Sequence, residues 1–225
     1  MESLAFIGTK EAVDTIIELA DESGKLGQHA LWWLLNRGMD DWQAFGVHNQ
    51  LKKSGIYDPA SVQITPMPVP PAPETKLPPA KEIAKRQGNI DKGRIRATQC
   101  LMCHQIGDQG IDYGPSLDGW ISSQGKEPFL EAVIHPSQSI AHGYHGSTIW
   151  LEQGGQIDGL IYNEGDPVYI VSMGGVQQLV PKEKIKRIQR RRPQSLMLSA
   201  DQLGLKAQDL ADLAAYLMHQ DHKRQ

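Results

Sequence analysis

The stretch Cys100-Leu101-Met102-Cys103-His104 decides how the rest of this sequence is interpreted. It places two thiols three residues apart and an imidazole directly after the second thiol. The chain has no other cysteines, so a structural disulfide elsewhere is excluded. A Cys-x-x-Cys-His segment attaches haem of the c type, because each sulfur adds to a vinyl group and the histidine binds the iron.

Two other interpretations of the thiols fit less well. A thioredoxin-like redox dithiol belongs to a βαβ pattern, which the sequence does not show. A zinc site needs two further ligands at similar spacing, whereas there is no second cysteine pair and the other histidines are scattered. The motif therefore predicts one covalent haem c, with Cys100 and Cys103 as attachment residues and His104 as an iron ligand.

The composition is that of an ordinary globular protein, with 40% hydrophobic residues and a formal net charge of -3. This charge argues against nucleic acid and against a membrane surface as partners. No apolar run approaches the length of a membrane span, and no signal peptide opens the sequence. Because c-type haem is attached outside the cytoplasm, we expect a periplasmic or secreted protein. The missing leader suggests a mature form or part of something longer.

Residues 1–60 are predicted to form an α-helical segment. Apolar residues recur at helical spacing over 10–53, with Gly24 and Gly38 between the helices. Such short helices look like the last units of a HEAT-type solenoid, and a self-contained cap on the haem domain fits equally well. Residues 61–80 are rich in proline and are interpreted as a semi-rigid linker, with an SH3-type ligand as the functional alternative.

Residues 81–225 are predicted to form the haem domain. Asn89 is a suitable N-cap for a helix that runs into the motif and delivers His104 at its end. Gly93 and Ala97 leave a small-residue surface on this helix. The partner that we expect to pack there is the last helix, whose apolar stripe and first-turn carboxylate are Leu210, Leu213, Ala214, Leu217 and Asp209.

The loop after the motif contains Gly114-Pro115 and Trp120. A ligating histidine is normally oriented through its second ring nitrogen, and we expect the carbonyl of Pro115 to accept that hydrogen bond from His104. Without the motif, Gly-Pro would be an ordinary turn. Trp120 is a candidate donor to a haem propionate, with packing on the macrocycle as the more ordinary alternative.

The spacing of apolar residues changes from helical to strand-like within residues 146–190, which are predicted to form an inserted β subdomain. Five short segments rich in Val, Ile and Tyr are separated by glycine-containing turns. They predict an antiparallel meander of four or five strands, either open or closed into a small barrel, at 147–152, 156–162, 168–173, 176–180 and 185–189. The fold is therefore predicted to be mainly α with a β insert.

The second iron ligand determines the class of function, because a closed site carries electrons and an open one binds gases or catalyses. Met197 lies in an irregular stretch before the final helix, where a loop can present its sulfur. Met173 falls at a hairpin turn and Met218 within a helix, and both are interpreted as packing residues. The spacing alone does not decide between Met197, these two methionines and five histidines as the second iron ligand. The histidines are His135, His142, His145, His219 and His222.

Taken in order, these segments resemble a known family, the haem-binding c-type cytochrome domain of the Planctomycete and Verrucomicrobia type. The resemblance covers about residues 81–219 and is carried by 100–107, 114–117, 135–137, 140–144, 195–197 and 209–217. It implies a class I cytochrome c fold interrupted by a β insert, with His104 and Met197 as axial ligands. Family members often have proline after this methionine, whereas this sequence has Leu198.

The leading hypothesis is a one-electron carrier, not itself an enzyme, that passes electrons from a dehydrogenase to another redox protein. The resemblance implies that such domains commonly end long secreted proteins, after a dehydrogenase-like propeller and HEAT-like helices. The alternative from another class is a haem enzyme or a gas or redox sensor with an open sixth site.

A third hypothesis is an interaction module whose β insert binds a partner. Basic residues are concentrated at 182–192, beside the last predicted strand. They form either a solvated strand face or a docking surface for an acidic redox partner. Homodimer formation and shielding of one side of the haem are further roles open to the insert.

Overall fold

The structure is a computed structural model that describes residues 1–38, 40–58, 61 and 76–223. In chain order, the helices are α1 (Glu2–Ile7), α2 (Lys10–Ala20), α3 (Lys25–Arg37), α4 (Val47–Ser54), α5 (Ala80–Ala84), α6 (Ile90–Ala97), α7 (Trp120–Gln124), α8 (Lys126–Ile134) and α9 (Ala207–His222). The strands are β1 (Gln105–Ile106), β2 (Gln109–Gly110), β3 (Ser147–Leu151), β4 (Gln156–Asn163), β5 (Val168–Ser172), β6 (Val176–Val180) and β7 (Ile185–Gln189).

The first of two compact units comprises Met1–Thr65, Ile149–Ser172 and Val176–Ile188, so it joins the N-terminal helices to the β insert. The Asn163 side chain, at the end of β4, donates to the carbonyl oxygen of Asn36 in α3. The Tyr57 hydroxyl, after α4, accepts a hydrogen bond from the amide of Leu179 in β6 at 2.9 Å. No short sequence pattern predicts these contacts, because they join segments more than a hundred residues apart.

The insert forms a five-stranded sheet in the order β6-β5-β4-β3-β7. The strands β3 to β6 follow one another in the sheet, as predicted for a meander of four strands, and β7 pairs with β3 at the opposite edge from β6. The pairs β4–β5 and β5–β6 are antiparallel, with Ile170 opposite Gln178. The apolar core of the sheet is formed by Ile149, Leu151, Ile157, Val168, Ile170 and Val180.

The second unit comprises Pro66–Thr148, Met173–Gly175 and Gln189–Gln225. The predicted packing of the last helix against the helix before the motif is confirmed, since α6 and α9 pack directly on each other. Arg96 of α6 also donates to the Asp209 carboxylate of α9 at 2.8 Å. The predicted apolar stripe of α9 is buried in the core of this unit, with Leu210, Leu213, Ala214 and Leu217 each at most 1% exposed.

Several predictions need correction. The fold is mixed, with helices and two sheets, so "mainly α" fits only in part. The helix before the motif ends at Ala97 instead of continuing through it. Helix α7 and the β1–β2 pair were not predicted. Most of the predicted linker at 61–80 lies outside the described residues, and the domain limits 1–60, 81–225 and 146–190 stay predictions.

None of the helices in the described ranges combines the length and the apolar character needed to cross a membrane.

Replacing Asp221 with asparagine should destabilise the second unit by about 1–3 kcal/mol, since bonds to a buried carboxylate are stronger than neutral ones. Asp221 is 4% exposed, and its carboxylate accepts from the Gly119 amide at 2.7 Å. It also accepts from the amide and the hydroxyl of Ser122, at 3.0 and 2.8 Å. Urea unfolding measures the effect, and Glu127→Gln, the same change at an exposed position, is the control. Equal midpoints for the two variants would contradict the prediction.

Candidate haem-attachment site

Helix α6 leads the chain into the motif. The side chain of Asn89 caps this helix as predicted, because its oxygen accepts from the amide of Lys92 at 3.0 Å. After α6 ends, Cys100–Met102 form a 3₁₀ turn, and the amides of Cys103 and His104 both donate to the Cys100 carbonyl, at 3.0 and 2.8 Å. The two thiols and the imidazole are therefore carried by one tight turn.

His104 is 8% exposed, and its ring has a defined orientation. Its Nδ1 donates to the carbonyl oxygen of Pro115 at 2.6 Å, which is the hydrogen bond expected from the sequence. Because a carbonyl oxygen only accepts, Nδ1 carries the hydrogen and Nε2 is the nitrogen left to bind a metal.

The pKa of His104 is lowered by burial, and the hydrogen bond to Pro115 opposes this shift. A lowered pKa keeps the imidazole neutral to more acidic pH. The neutral imidazole is the form that ligates a metal ion, since protonation would occupy the ligating nitrogen. Burial thus keeps the imidazole neutral and the hydrogen bond fixes its orientation, as the predicted ligand role of His104 would require.

Gly114 lies against the face of the His104 ring. A Cβ atom at position 114 would lie 2.6 Å from Cε1 and 2.9 Å from Nδ1 of His104, which is closer than real Cβ contacts. The amide of Gly114 also donates to the Cys103 carbonyl at 2.6 Å. A glycine is therefore needed here for the His104–Pro115 arrangement. The Gly-Pro pair was the sequence signal for this contact.

Replacing Gly114 with alanine should displace the His104 ring and destabilise the protein by roughly 1–3 kcal/mol, the usual range for overpacking. The backbone of Gly114 is not in the left-handed region, so the added methyl group acts through the contact alone. Chemical unfolding of this variant measures the loss. Gln109→Ala, exposed on β2, is the control, and equal stability of both variants would rule out a tight contact.

Both motif cysteines are free, half-buried thiols. Burial, with the nearby Cys103 second, raises the pKa of Cys100 to about 11. Burial also raises the pKa of Cys103, and a hydrogen bond with the backbone of Gly174 opposes that shift. Reactive redox dithiols have lowered pKa values, so these thiols do not support the redox-dithiol alternative.

The turn Met173–Gly175 between β5 and β6 contacts the Cys100–Met102 turn. The backbone of Gly174 reaches the Cys103 sulfur within this contact. This contact was not predicted from the sequence, because alternation of apolar and polar residues predicts a hairpin but not the place where its turn packs. Met173 therefore lies close to the motif, although its position in the sequence predicted a packing residue.

Met197 lies in an irregular segment, as predicted, and is partly buried. It packs against the hydrophobic cluster of the second unit, which Cys100, Leu101 and Met218 also contact. Four of the histidines considered as iron ligands are exposed: His135, His142, His145 and His222. The structure thus brings Met197 and Cys100 onto the same apolar cluster.

Trp120 begins α7 and packs on the same hydrophobic cluster. Its ring meets that of Phe129 edge to face, with centroids 5.6 Å apart and planes at 67°. Packing against Phe129 is thus sufficient to explain the position of the indole. Its hydrogen bond to a propionate stays a prediction.

The donor set fits a covalent haem. Two thiols and a histidine lie on one turn, Nε2 of His104 is the ring nitrogen available to a metal, and an apolar cluster adjoins Cys100 and Met197. The zinc alternative gains no support, since the described ranges contain no group of three His, Cys, Asp or Glu side chains placed to hold a metal ion. No protein-family model matches the sequence, and a comparison with curated proteins finds no match. The resemblance to c-type cytochrome domains therefore stays a prediction.

Proposed function

We propose that this chain is a c-type cytochrome domain that carries single electrons between redox proteins. The observation that carries the proposal is the His104 imidazole, buried and held by the Pro115 carbonyl on the turn that bears both thiols. The finer fold is then a class I cytochrome c interrupted by a β insert. Its axial ligands are His104 and Met197.

In this proposal each residue has a defined task. Cys100 and Cys103 form thioether bonds, which fix the group in register with His104. Pro115 and Gly114 orient the imidazole, and the apolar cluster beside Met197 excludes water. The bound haem would supply a one-electron iron couple, whose potential is raised by methionine–histidine ligation. Outer-sphere transfer needs no acid or base, so the domain is not proposed as an enzyme.

The proposed partners are a dehydrogenase donor and a downstream redox acceptor, and the proposed location is the periplasm or the exterior. The alternative is a haem enzyme or a gas or redox sensor with an open sixth site. A cleft of about 870 Å³ lies beside Met197, so a small molecule can approach the methionine from that side, although none of the three motif residues Cys100, Cys103 and His104 lines the cleft.

Protein produced with a c-type maturation system tests the proposal. We expect mass spectrometry to find one covalent haem, absent from the Cys100→Ala/Cys103→Ala variant. We expect a low-spin spectrum with a weak sulfur-to-iron band when oxidised, and little change when the reduced form meets carbon monoxide. High-spin features or ready carbon monoxide binding would favour the enzyme or sensor. No covalent haem would refute both.

Electron transfer to an acidic redox partner should slow with salt, by up to about tenfold between low and physiological ionic strength. Lys182 lies just before β7 and Lys186 lies within it, and both side chains are exposed. Changing both to glutamate should slow the reaction at low salt and flatten the salt dependence. Lys53→Glu, an exposed change on α4, is the control, and a rate independent of salt in the unmodified protein contradicts docking by charge.

A further inference from the structure

The segment that carries Met197 is fastened at both ends by backbone hydrogen bonds. The amide of Arg192 donates to the Gly146 carbonyl at 2.9 Å, and the amide of Ala200 donates to the Val133 carbonyl at 2.9 Å. Residues 192–199 form neither helix nor strand. The position of Met197 between these two anchors therefore depends on other contacts.

Serine side chains hold the middle of this segment. The Ser195 amide donates to the hydroxyl oxygen of Ser137 at 3.0 Å. The Met197 amide donates in turn to the hydroxyl oxygen of Ser195 at 3.1 Å. These two bonds form a continuous connection from the loop after α8, through Ser195, to the backbone of Met197.

Packing restrains the same segment next to the serines. Leu196 is 8% exposed and lies over Gly146, where a Cβ atom would come within 2.5 Å of its Cγ. Leu196 is thereby held on one side of the backbone while Ser195 fixes the amide of Met197. The side chain of Met197 packs against the hydrophobic cluster of the second unit.

We propose that Ser137 and Ser195 are positioning residues for the sulfur of Met197, which they hold in place through the backbone. This inference rests on the proposed function, in which Met197 is the sixth iron ligand. Two hydrogen bonds set the direction in which the methionine leaves the chain, so losing either one lets the sulfur leave its ligating position more often. Ser137, Ser195 and Met197 line one cleft, so the two serines and the methionine lie close together.

The test is a spectroscopic titration of the ferric, haem-loaded full chain with imidazole, which competes with Met197 for the iron. A net hydrogen bond corresponds to a factor of about 2–10 in an equilibrium. We expect Ser195→Ala to lower the apparent Kd for imidazole by that factor. Ser137→Ala should act in the same direction but less strongly, because Ser137 is exposed and water can replace its hydroxyl.

The controls separate positioning from general stability. Ser195→Thr keeps the hydroxyl and should bind imidazole like the unmodified protein, and Ser139→Ala, an exposed change in the same loop, should do so too. Adding Ser137→Ala to Ser195→Ala should have little further effect, since Ser137 acts through Ser195. If Ser195→Ala does not fold, Ser137→Ala decides the question.

The outcomes distinguish this inference from the function on which it rests. A haem-loaded protein whose two alanine variants keep the imidazole Kd and the reduction potential overturns the positioning role and leaves the cytochrome proposal standing. Failure of Ser195→Thr to restore the unmodified Kd also overturns it. An unmodified protein that takes up no covalent haem overturns both.

Discussion

Replacing Met197 with leucine is expected to convert the haem-loaded protein from low spin to high spin and to open the iron to carbon monoxide. The reduction potential should fall by about 0.1 V or more, within the roughly 0.8 V that axial ligands span, because the variant lacks the thioether that we propose as the sixth ligand and that would raise the potential. Leucine conserves most of the volume of methionine, so the contacts with the hydrophobic cluster are largely kept.

Met197→Ala removes both the sulfur and the packing, and comparison with the leucine variant separates the two effects. Met218→Leu and Met173→Leu are the matched controls. Met218 lies on α9 and packs on the same cluster, while Met173 lies in the turn that contacts the motif. An unchanged spectrum in Met197→Leu, together with a changed one in Met173→Leu, would transfer the ligand role to Met173.

Replacing Gly93 with alanine is expected to destabilise the protein by about 2–4 kcal/mol, although alanine is the better helix former by about 1 kcal/mol. A Cβ atom at position 93 would lie 2.0 Å from the carbonyl oxygen of Asp212 and 2.8 Å from Cβ of Tyr216. The overlap is with the backbone of α9, so no change of rotamer relieves it. Helices α6 and α9 must therefore separate, and the loss of packing between them outweighs the gain in helix propensity.

Urea unfolding measures this loss, and Arg94→Ala, an exposed change at the next position of α6, is the control. The control should stay within about 0.5 kcal/mol of the unmodified protein. Because α6 leads directly into the motif turn, Gly93→Ala should also reduce the yield of covalent haem. Greater stability in Gly93→Ala than in the unmodified protein would mean that the helices are not in backbone contact.

The sequence predicted the parts of the site that are local. The spacing Cys100-x-x-Cys103-His104 puts the three groups on one turn whatever surrounds them, and the Asn89 cap acts over three residues. The hydrogen bond from His104 to Pro115 spans only eleven residues, and the Gly-Pro pair marked it. The strands were located closely, because alternation is also a property of consecutive residues.

Only the tertiary structure decided which distant segments meet. It placed β7 beside β3, joined the N-terminal helices to the sheet in one unit, and brought Gly174 to Cys103 and Ser137 to Ser195. Capping and alternation depend on neighbours a few residues away, so the sequence pattern records them. Contacts such as that of Ser137 with Ser195 depend on the summed packing of the whole chain, which no short pattern contains.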